Sequence, residues 1–184
     1  QDFILNIPKN GSNTLGNTLC SPPWHWQGRN HILEDFHVRR YHVILRDPLR
    51  RWLGCMAEHL SHLVQHGESL ENILAFLDSR DWMHPNYLDM HLFSQAAYCH
   101  QIPLHHTNFY WLDAGLTQVY TAVGVDAPEQ RLNSSDLDKN GRKQILEHLQ
   151  QMHEISPEIQ IHVHQLYECD RILFDRISIQ GRLD

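Results

Sequence analysis

The sequence has few basic side chains for its length. Its 184 residues include 15 Lys and Arg against 22 Asp and Glu, for a formal net charge of -7. Nucleic acids and long polyanions are bound mainly through an excess of positive charge, so we expect neither as a partner. The apolar content of 41% is ordinary for a soluble globular domain. The length suits a single domain spanning residues 1–184.

Long apolar runs and paired cysteines are also missing. No stretch is long enough to cross a bilayer and no signal peptide is visible, so we expect no membrane segment in this chain. The sequence leaves undecided whether a leader or anchor precedes Gln1, because the chain does not begin with Met. The spacing of the cysteines predicts scattered thiols rather than a zinc ribbon or a disulfide framework. The cysteines are Cys20, Cys55, Cys99 and Cys169.

Histidine, by contrast, is abundant, with 16 residues. "EHLSHLVQH" places His59, His62 and His66 at helical spacing, and "HVH" brings His162 and His164 together. Such groups can bind zinc or nickel, but H-E-x-x-H is absent and no cysteine or carboxylate completes a ligand set. We therefore expect a solvated, histidine-rich helix face and no metal cofactor.

Predicted strands alternate with predicted helices along the chain. Strands are predicted at Phe3 to Ile7, at Tyr41 to Leu45 and in "IPLHHTNFYWLD", whereas "CSPPWHWQGRNH" is predicted to be a loop because of its prolines and glycine. A helix could run from Thr14 to about Cys20. This alternation predicts an α/β fold with a mainly parallel sheet in a three-layer α/β/α arrangement.

The remaining helices carry clear start and stop signals. "PLRRWLGCMAEHLSHLVQH" has the apolar stripe of an amphipathic helix, which Gly67 should end. Ser69 is the expected N-cap of "SLENILAFLDS", Gly124 should end "LTQVYTAVGV", and the C-terminal part should be helical with a restart at Ser156-Pro157-Glu158.

Two basic turns follow predicted strands. In "PKNGSNT" a glycine turn between a strand and a helix N-terminus would direct backbone N–H groups at an anion, with Lys9 at the rim. Arg46 follows the second strand and can bind phosphate in a bidentate manner. Arginines also cluster at Arg39-Arg40 and Arg50-Arg51, so a local basic pocket is a further expectation. Ligands of parallel sheets bind at the carboxyl ends of strands, so both turns should open onto the same site. Because each turn can bind one phosphate, we expect a ligand with two phosphate-like groups.

These turns resemble the cofactor motifs of sulfotransferases. "PKNGSNTL" resembles their 5′-phosphosulfate loop, P-K-x-G-[ST]-[ST]-x, and "VILRDPLRRWLGCM" resembles their 3′-phosphate motif, R-D-P-x-x-R-x-x-S, in the same order. Weaker likenesses follow: "HLFSQ" is similar to the H-x-x-P-Q element of carbohydrate sulfotransferases, "RLNSS" to their asparagine–serine loop and "LYECDRILFDRI" to their closing helix. The likeness covers almost the whole chain. It implies a P-loop-kinase-like sulfotransferase fold that binds 3′-phosphoadenosine 5′-phosphosulfate (PAPS).

The resemblance also implies roles for particular residues. Lys9 would contact the bridging oxygen and neutralise charge as sulfate departs, and Arg46 would bind the 3′-phosphate. The alternatives are a solvated loop lysine and an ordinary salt bridge of Arg46 with Asp47 or a helix acid. The residues expected to hold the 5′-phosphate are Gly11, Ser12, Asn13 and Thr14, and the cofactor-binding loop also includes Lys9 and Asn10.

The chain departs from the family pattern at two positions. Gly54 stands where the 3′-phosphate motif has serine, so that hydroxyl is missing or is replaced by Ser134, Ser135 or Arg142. Asn13 replaces a Ser or Thr, although its amide can still donate.

A general base for the acceptor hydroxyl is expected between the two phosphate motifs. The resemblance of "NHILEDF" to a glycan-sulfotransferase segment selects His31, since a neutral imidazole near pH 7 suits this role. Trp24 and Trp26 could stack on a sugar or aromatic acceptor, or simply pack the loop. The rival bases are Glu34, His25, His37 and His91.

The resemblance thus predicts in-line transfer of a sulfuryl group from PAPS to an acceptor hydroxyl, on a glycan or small molecule, with 3′-phosphoadenosine 5′-phosphate (PAP) as product. A P-loop nucleotide kinase is one alternative, although G-x-x-x-x-G-K-[ST] and an evident Walker-B acid are absent. A catalytically impaired PAPS- or PAP-binding relative is the other, because of Gly54. A sequon at Asn133-Ser134-Ser135 is compatible with secretion, whereas one at Asn10-Gly11-Ser12 would disrupt the cofactor loop if glycosylated. The compartment is thus not determined: the cytoplasm is slightly favoured, and the Golgi lumen is the alternative if an anchor lies upstream.

Overall fold

The computed structural model describes residues 2–5, 7, 25–27, 40–84, 87, 92–100, 102–114, 116–126 and 139–179. Within these residues, short parallel strands are combined with more extensive helices. The predicted α/β class is therefore confirmed. The finer prediction of three layers in a P-loop-kinase-like arrangement stays a prediction.

The strands form a parallel sheet. They are β1 (Asp2–Leu5), β2 (His25–Gln27), β3 (Arg40–Leu45) and β4 (Thr107–Trp111). Their spatial order is β2-β1-β3-β4, with Leu5 opposite Val43 and Leu45 opposite Trp111. The predicted loop is wrong at β2, because pairing with β1 extends a segment whose local prolines and glycine indicated a turn. Such pairing depends on distant chain segments rather than on local propensity.

The described part of the chain contains helices of quite different length. They are α1 (Pro48–Gln65), α2 (Leu70–Ser79), α3 (Gln95–Cys99), α4 (Thr117–Val123), α5 (Arg142–Ile155), α6 (Pro157–Leu166) and α7 (Glu168–Ile179). Single 3₁₀ turns lie at Asp81–Met83, Leu104–His106, Leu112–Ala114 and Lys139–Gly141. Among the helices that can be described, none is both long and apolar enough to cross a membrane.

Local sequence signals account for most of the helix ends. The Ser69 Oγ accepts a hydrogen bond from the Asn72 amide at 3.1 Å and caps α2, as predicted. Ser156 likewise caps α6, which restarts at Pro157. Gly124 ends α4 with φ 69°, a left-handed conformation that favours glycine, and so confirms the predicted stop. The helix predicted from Thr14 lies outside the described residues.

The chain divides into two compact units. The sheet unit comprises Gln1–Asp47, Gln95–Asn133 and Cys169–Asp184, and the helical unit comprises Pro48–Ser94 and Ser134–Glu168. Each unit is assembled from segments far apart in the chain. The prediction of one domain over residues 1–184 stays a prediction.

The helical unit has an apolar core organised around α1. Trp52, Met56 and Leu60 follow one another along one helix face and are almost completely buried. They pack with side chains of α2, α5 and α6, and the ring of Trp52 lies 5.6 Å from that of Trp82 between centroids. The amphipathic stripe predicted for α1 is therefore confirmed, since its spacing directs these side chains inward.

The sheet unit has an apolar cluster between strands and helix α4. Ile4 of β1, Ile44 of β3 and Tyr110 of β4 pack there, together with residues of α4. Residues 41–45 of β3 are all buried, so both faces of this strand are covered. A continuous buried run is typical of an inner strand in a parallel sheet. The end of β3 is thereby held in place by packing from both sides.

Candidate functional site

The strand order creates a topological switch point between β1 and β3. These strands are neighbours, yet the chain leaving β1 proceeds to β2 on one side and the chain leaving β3 proceeds to β4 on the other. Open parallel sheets bind ligands outside the carboxyl ends of strands at such a point, so this edge of the sheet is the candidate site. Both predicted phosphate turns are the segments that follow these two strands.

Arg46 lies directly after β3 and is half-buried. The carboxamide of Gln95 in α3 holds its backbone on both sides. The Arg46 amide donates to Gln95 Oε1 at 2.9 Å, and Gln95 Nε2 donates to the Arg46 carbonyl at 2.9 Å. The Gln95 side-chain amide thus makes the same two hydrogen bonds to Arg46 that the peptide group of a neighbouring strand would make. It does so just after the last residue of β3.

Asp170 of α7 completes this buried network. Gln95 Nε2 donates to Asp170 Oδ2 at 3.1 Å, and the backbone N–H of Ala96 donates to Asp170 Oδ1 at 2.7 Å. Gln95 and Asp170 are both completely buried, with 0% exposure. Burial of a carboxylate is costly unless its oxygens receive hydrogen bonds, and both do here.

The same carboxylate affects a buried thiol. Burial, together with the negative charge of Asp170, raises the pKa of Cys99 to about 12. Cys99 is therefore a thiol rather than a thiolate at neutral pH and is a poor nucleophile. Its place in α3 is explained by packing.

Gln95 and Asp170 were not predicted as site residues. They lie in "HLFSQ" and "LYECDRILFDRI", two segments of weaker sulfotransferase likeness, and the bonded pairs are separated by 49 and 75 positions. A single polar residue in a mixed segment carries no local mark of such a contact.

A second buried polar group lies within the sheet. His42 of β3 is 1% exposed, and its Nδ1 lies 2.8 Å from the hydroxyl of Tyr110 on β4. Asn108 also donates to that hydroxyl, at 3.3 Å. Because these side chains pair across the middle of two strands rather than beyond their ends, we interpret them as structural.

The arginines of the predicted basic pocket that the structure describes have different surroundings. Arg40 is exposed at the amino end of β3, whereas Arg46 follows its carboxyl end. Arg51, the second arginine of the R-D-P-x-x-R pattern, is 0% exposed and donates to the carbonyl oxygen of Phe93 at 2.7 Å. Its guanidinium also lies 6.0 Å from the ring centroid of Tyr167. We interpret Arg51 as a structural residue of the helical unit.

Gly54 and Arg142 are described together in the helical unit. Gly54 lies inside α1, one turn before Glu58, so the two positions share a helix face. Arg142 begins α5, and its guanidinium pairs with the Glu58 carboxylate at 3.2 Å. The cation named as a replacement for the missing serine thus reaches α1 one turn from Gly54. An anion binding there would compete with Glu58.

The other predicted site residues lie outside the described part of the chain. They are Lys9, Asn10, Gly11, Ser12, Asn13, Thr14, His31 and Ser134. The alternatives Trp24, Glu34, His37, His91 and Ser135 are also outside it. His25 and Trp26 belong to β2, whose backbone alone is described. All these roles stay predictions.

Several histidines have packing roles. His162 makes an edge contact with Trp82 at 5.6 Å between ring centroids, and His59 contacts Tyr87 at 5.9 Å. His62 and His66 are exposed on or just after α1, as the solvated-face prediction expects. Across the ranges that the structure describes, no group of three or more His, Cys, Asp or Glu could hold a metal ion.

No family model, curated protein or solved structure matches the chain.

Proposed function

We propose that the protein is a PAPS-dependent sulfotransferase that transfers a sulfuryl group to an acceptor hydroxyl, with a carbohydrate as the expected acceptor. The observation that carries this proposal is the position of Arg46 at the carboxyl end of β3, beside the switch point, with its backbone held by Gln95. The three-layer, P-loop-kinase-like arrangement belongs to the same proposal.

Arg46 suits the 3′-phosphate for chemical and geometric reasons. A guanidinium is charged at all physiological pH values and presents parallel donors that match two phosphate oxygens. Its half-burial lowers the local dielectric and so strengthens its attraction to a dianion. A rigidly held backbone also reduces the entropy lost when the side chain binds.

The proposed reaction also requires a cation near the leaving oxygen, supplied by the turn after β1, and a base that removes the acceptor proton. The acceptor oxygen attacks sulfur in line, the bond between sulfur and the bridging phosphate oxygen breaks, and its electron pair leaves with PAP. Lys9 neutralises charge on that leaving oxygen. His31 takes the proton of the acceptor hydroxyl, so the products are a sulfated acceptor and PAP.

Gly54 supports a second candidate, a relative that binds PAP or PAPS without transferring sulfate. Gly54 has no side chain to donate to a 3′-phosphate, and the nearby Arg142 is already paired with Glu58. This candidate shares the phosphate site with the first. It differs in the absence of product when PAPS and acceptors are supplied.

Calorimetry with PAP tests the shared phosphate site. In Arg46→Ala we expect affinity to fall about tenfold to a hundredfold, the range for a lost charge-assisted hydrogen bond of about 1.5–3 kcal/mol. Arg40→Ala removes the same charge from the exposed opposite end of β3 and should bind as the wild type does. A wild-type protein that binds no PAP would contradict both candidates.

Transfer of label from radiolabelled PAPS to a panel of glycans and phenols then separates the candidates. A labelled product that disappears in Lys9→Ala supports the enzyme. PAP binding without product supports the impaired relative, while magnesium-dependent ATP turnover would support a kinase instead.

A further inference from the structure

We propose that Gln95 and Asp170 are positioning residues that set the direction of Arg46 and thereby the recognition of a 3′-phosphate, an inference that rests on the proposed function. Neither side chain is expected to touch the cofactor. They act through the Arg46 backbone, to which Gln95 donates and from which it accepts.

The first step of the argument concerns the orientation of the Gln95 amide. The Gln95 amide bonds both sides of the Arg46 backbone only when Oε1 faces the Arg46 N–H and Nε2 faces its carbonyl. The reversed amide would place two donors face to face and two acceptors face to face. An ionised carboxylate only accepts hydrogen bonds. Asp170 Oδ2, 3.1 Å from Nε2, therefore selects the orientation that holds Arg46.

The second step concerns the anchoring of Asp170 itself. Its other oxygen accepts from the Ala96 N–H at 2.7 Å, the short distance typical of a charge-assisted hydrogen bond. Both carboxylate oxygens are thus committed inside the sheet unit, at a residue with 0% exposure. The carboxylate joins α7 to the first residues of α3, and the Gln95 carboxamide joins α3 to the end of β3.

The third step concerns cost. A buried carboxylate and a buried carboxamide stabilise a fold less than apolar side chains of similar size would, once desolvation is counted. Their benefit is geometric, because a fully bonded polar network permits few arrangements. Here that arrangement holds Arg46, the residue that directly follows β3. A shift of about 1 Å at such a point can cost a hundredfold in function.

Matched substitutions can separate this role from general stability. Gln95→Glu keeps the shape but, when ionised, cannot donate to the Arg46 carbonyl and places a second negative charge beside Asp170. Asp170→Asn is milder, since one oxygen remains to accept from either Gln95 or Ala96. Thr107→Val is the control, because it removes another buried hydrogen bond of the sheet unit, 2.9 Å to the Pro103 carbonyl, at the amino end of β4.

The readout compares PAP with adenosine 5′-monophosphate, which lacks only the 3′-phosphate. The ratio of the two affinities measures 3′-phosphate recognition. We expect Gln95→Glu and Asp170→Asn to reduce this ratio about tenfold or more, as the loss of an orienting partner does at metal sites, with binding of the monophosphate little changed. Thr107→Val should keep the wild-type ratio. An unchanged ratio in folded Asp170→Asn, or an equal loss in Thr107→Val, overturns the inference.

Amide hydrogen exchange supplies a readout that needs no ligand. In the wild type the Arg46 and Ala96 amides should exchange slowly. Asp170→Asn should accelerate the Ala96 amide if its one oxygen turns to Gln95, or the Arg46 amide if that oxygen turns to Ala96, while Thr107→Val should accelerate neither. If the wild type binds no PAP, the proposed function fails, and exchange alone decides whether the network positions Arg46. Rapid exchange of the Arg46 amide in the wild type, or no acceleration in Asp170→Asn, overturns that positioning.

Discussion

Both units of the chain bury polar groups beside an apolar core, but the buried polar groups are bonded differently. The helical unit assembles Trp52, Met56 and Leu60 with apolar side chains of its other helices, and its buried Arg51 donates to a backbone carbonyl. The sheet unit has its own apolar cluster but also encloses the carboxylate of Asp170 and the carboxamide of Gln95. Apolar contacts are non-directional and stabilise by area, whereas polar networks restrict geometry. We therefore expect the apolar core of the helical unit to contribute most to stability, and the polar network of the sheet unit to orient the end of β3.

The largest effect should come from the core of the helical unit. Trp52→Ala removes a 1% exposed indole, and we expect the free energy of unfolding to fall by about 3–5 kcal/mol in urea titrations. Ile161→Ala removes a side chain that is 58% exposed and should change it by less than about 0.5 kcal/mol. Similar losses in both variants would contradict the assignment of stability to this core.

A smaller loss is expected from the buried network of the sheet unit. Gln95→Leu leaves the Arg46 amide and carbonyl without their side-chain partner, and should cost about 2–3 kcal/mol by the same measurement. Ser61→Ala removes a single hydrogen bond to the Glu58 carbonyl in the helical unit and should cost about 1 kcal/mol. A neutral or stabilising Gln95→Leu would show that the network's geometry is not coupled to folding.

Thiol chemistry sharpens the comparison within the sheet unit. Cys99 is buried beside Asp170 with its pKa raised to about 12, whereas Cys169 is exposed. With iodoacetamide at pH 8, mass spectrometry should find Cys169 modified at least tenfold faster, because Cys99 must wait for local opening. Equal rates would mean that the surroundings of Asp170 open readily and cannot hold Arg46.

The smallest expected effect is a pH dependence in the helical unit. Burial lowers the pKa of His162 from its ordinary value of 6.5, so the unfolded state binds a proton more readily than the folded state. The contribution of neutral His162 is thus retained above pH 6.5 and lost as the pH falls below it. As the pH falls from 7.5 to 5.5, the free energy of unfolding of His162→Gln should therefore rise relative to that of the wild type. A difference between the two proteins that does not change with pH would refute this.

Elements with strong local signals were predicted well. The stripe of α1, the Ser69 and Ser156 caps and the Gly124 stop depend on interactions within a few residues, and each was confirmed. Strand β2 was missed because its extended form depends on pairing with β1. Arg46 follows β3 as the predicted strand implied, whereas its role as a site residue stays a prediction.

The rest of the candidate site could not be inferred position by position. Arg51 belongs to the same motif as Arg46, yet it is buried against Phe93 and Tyr167. Two arginines five positions apart look alike in a sequence, since their difference depends on which side chains the fold brings against each. The roles of Lys9 and His31 stay predictions.

The sequence by itself determined the α/β alternation, the helix ends and the arginine that follows β3, because periodicity, capping and turn chemistry act over short distances. Only the tertiary structure decided the strand order, the pairing of Gln95 with the Arg46 backbone and the bond between Gln95 and Asp170. A hydrogen bond between residues 75 positions apart leaves no periodic or local trace in the sequence. It exists because folding places α3 and α7 beside the end of β3, where a buried donor must find an acceptor.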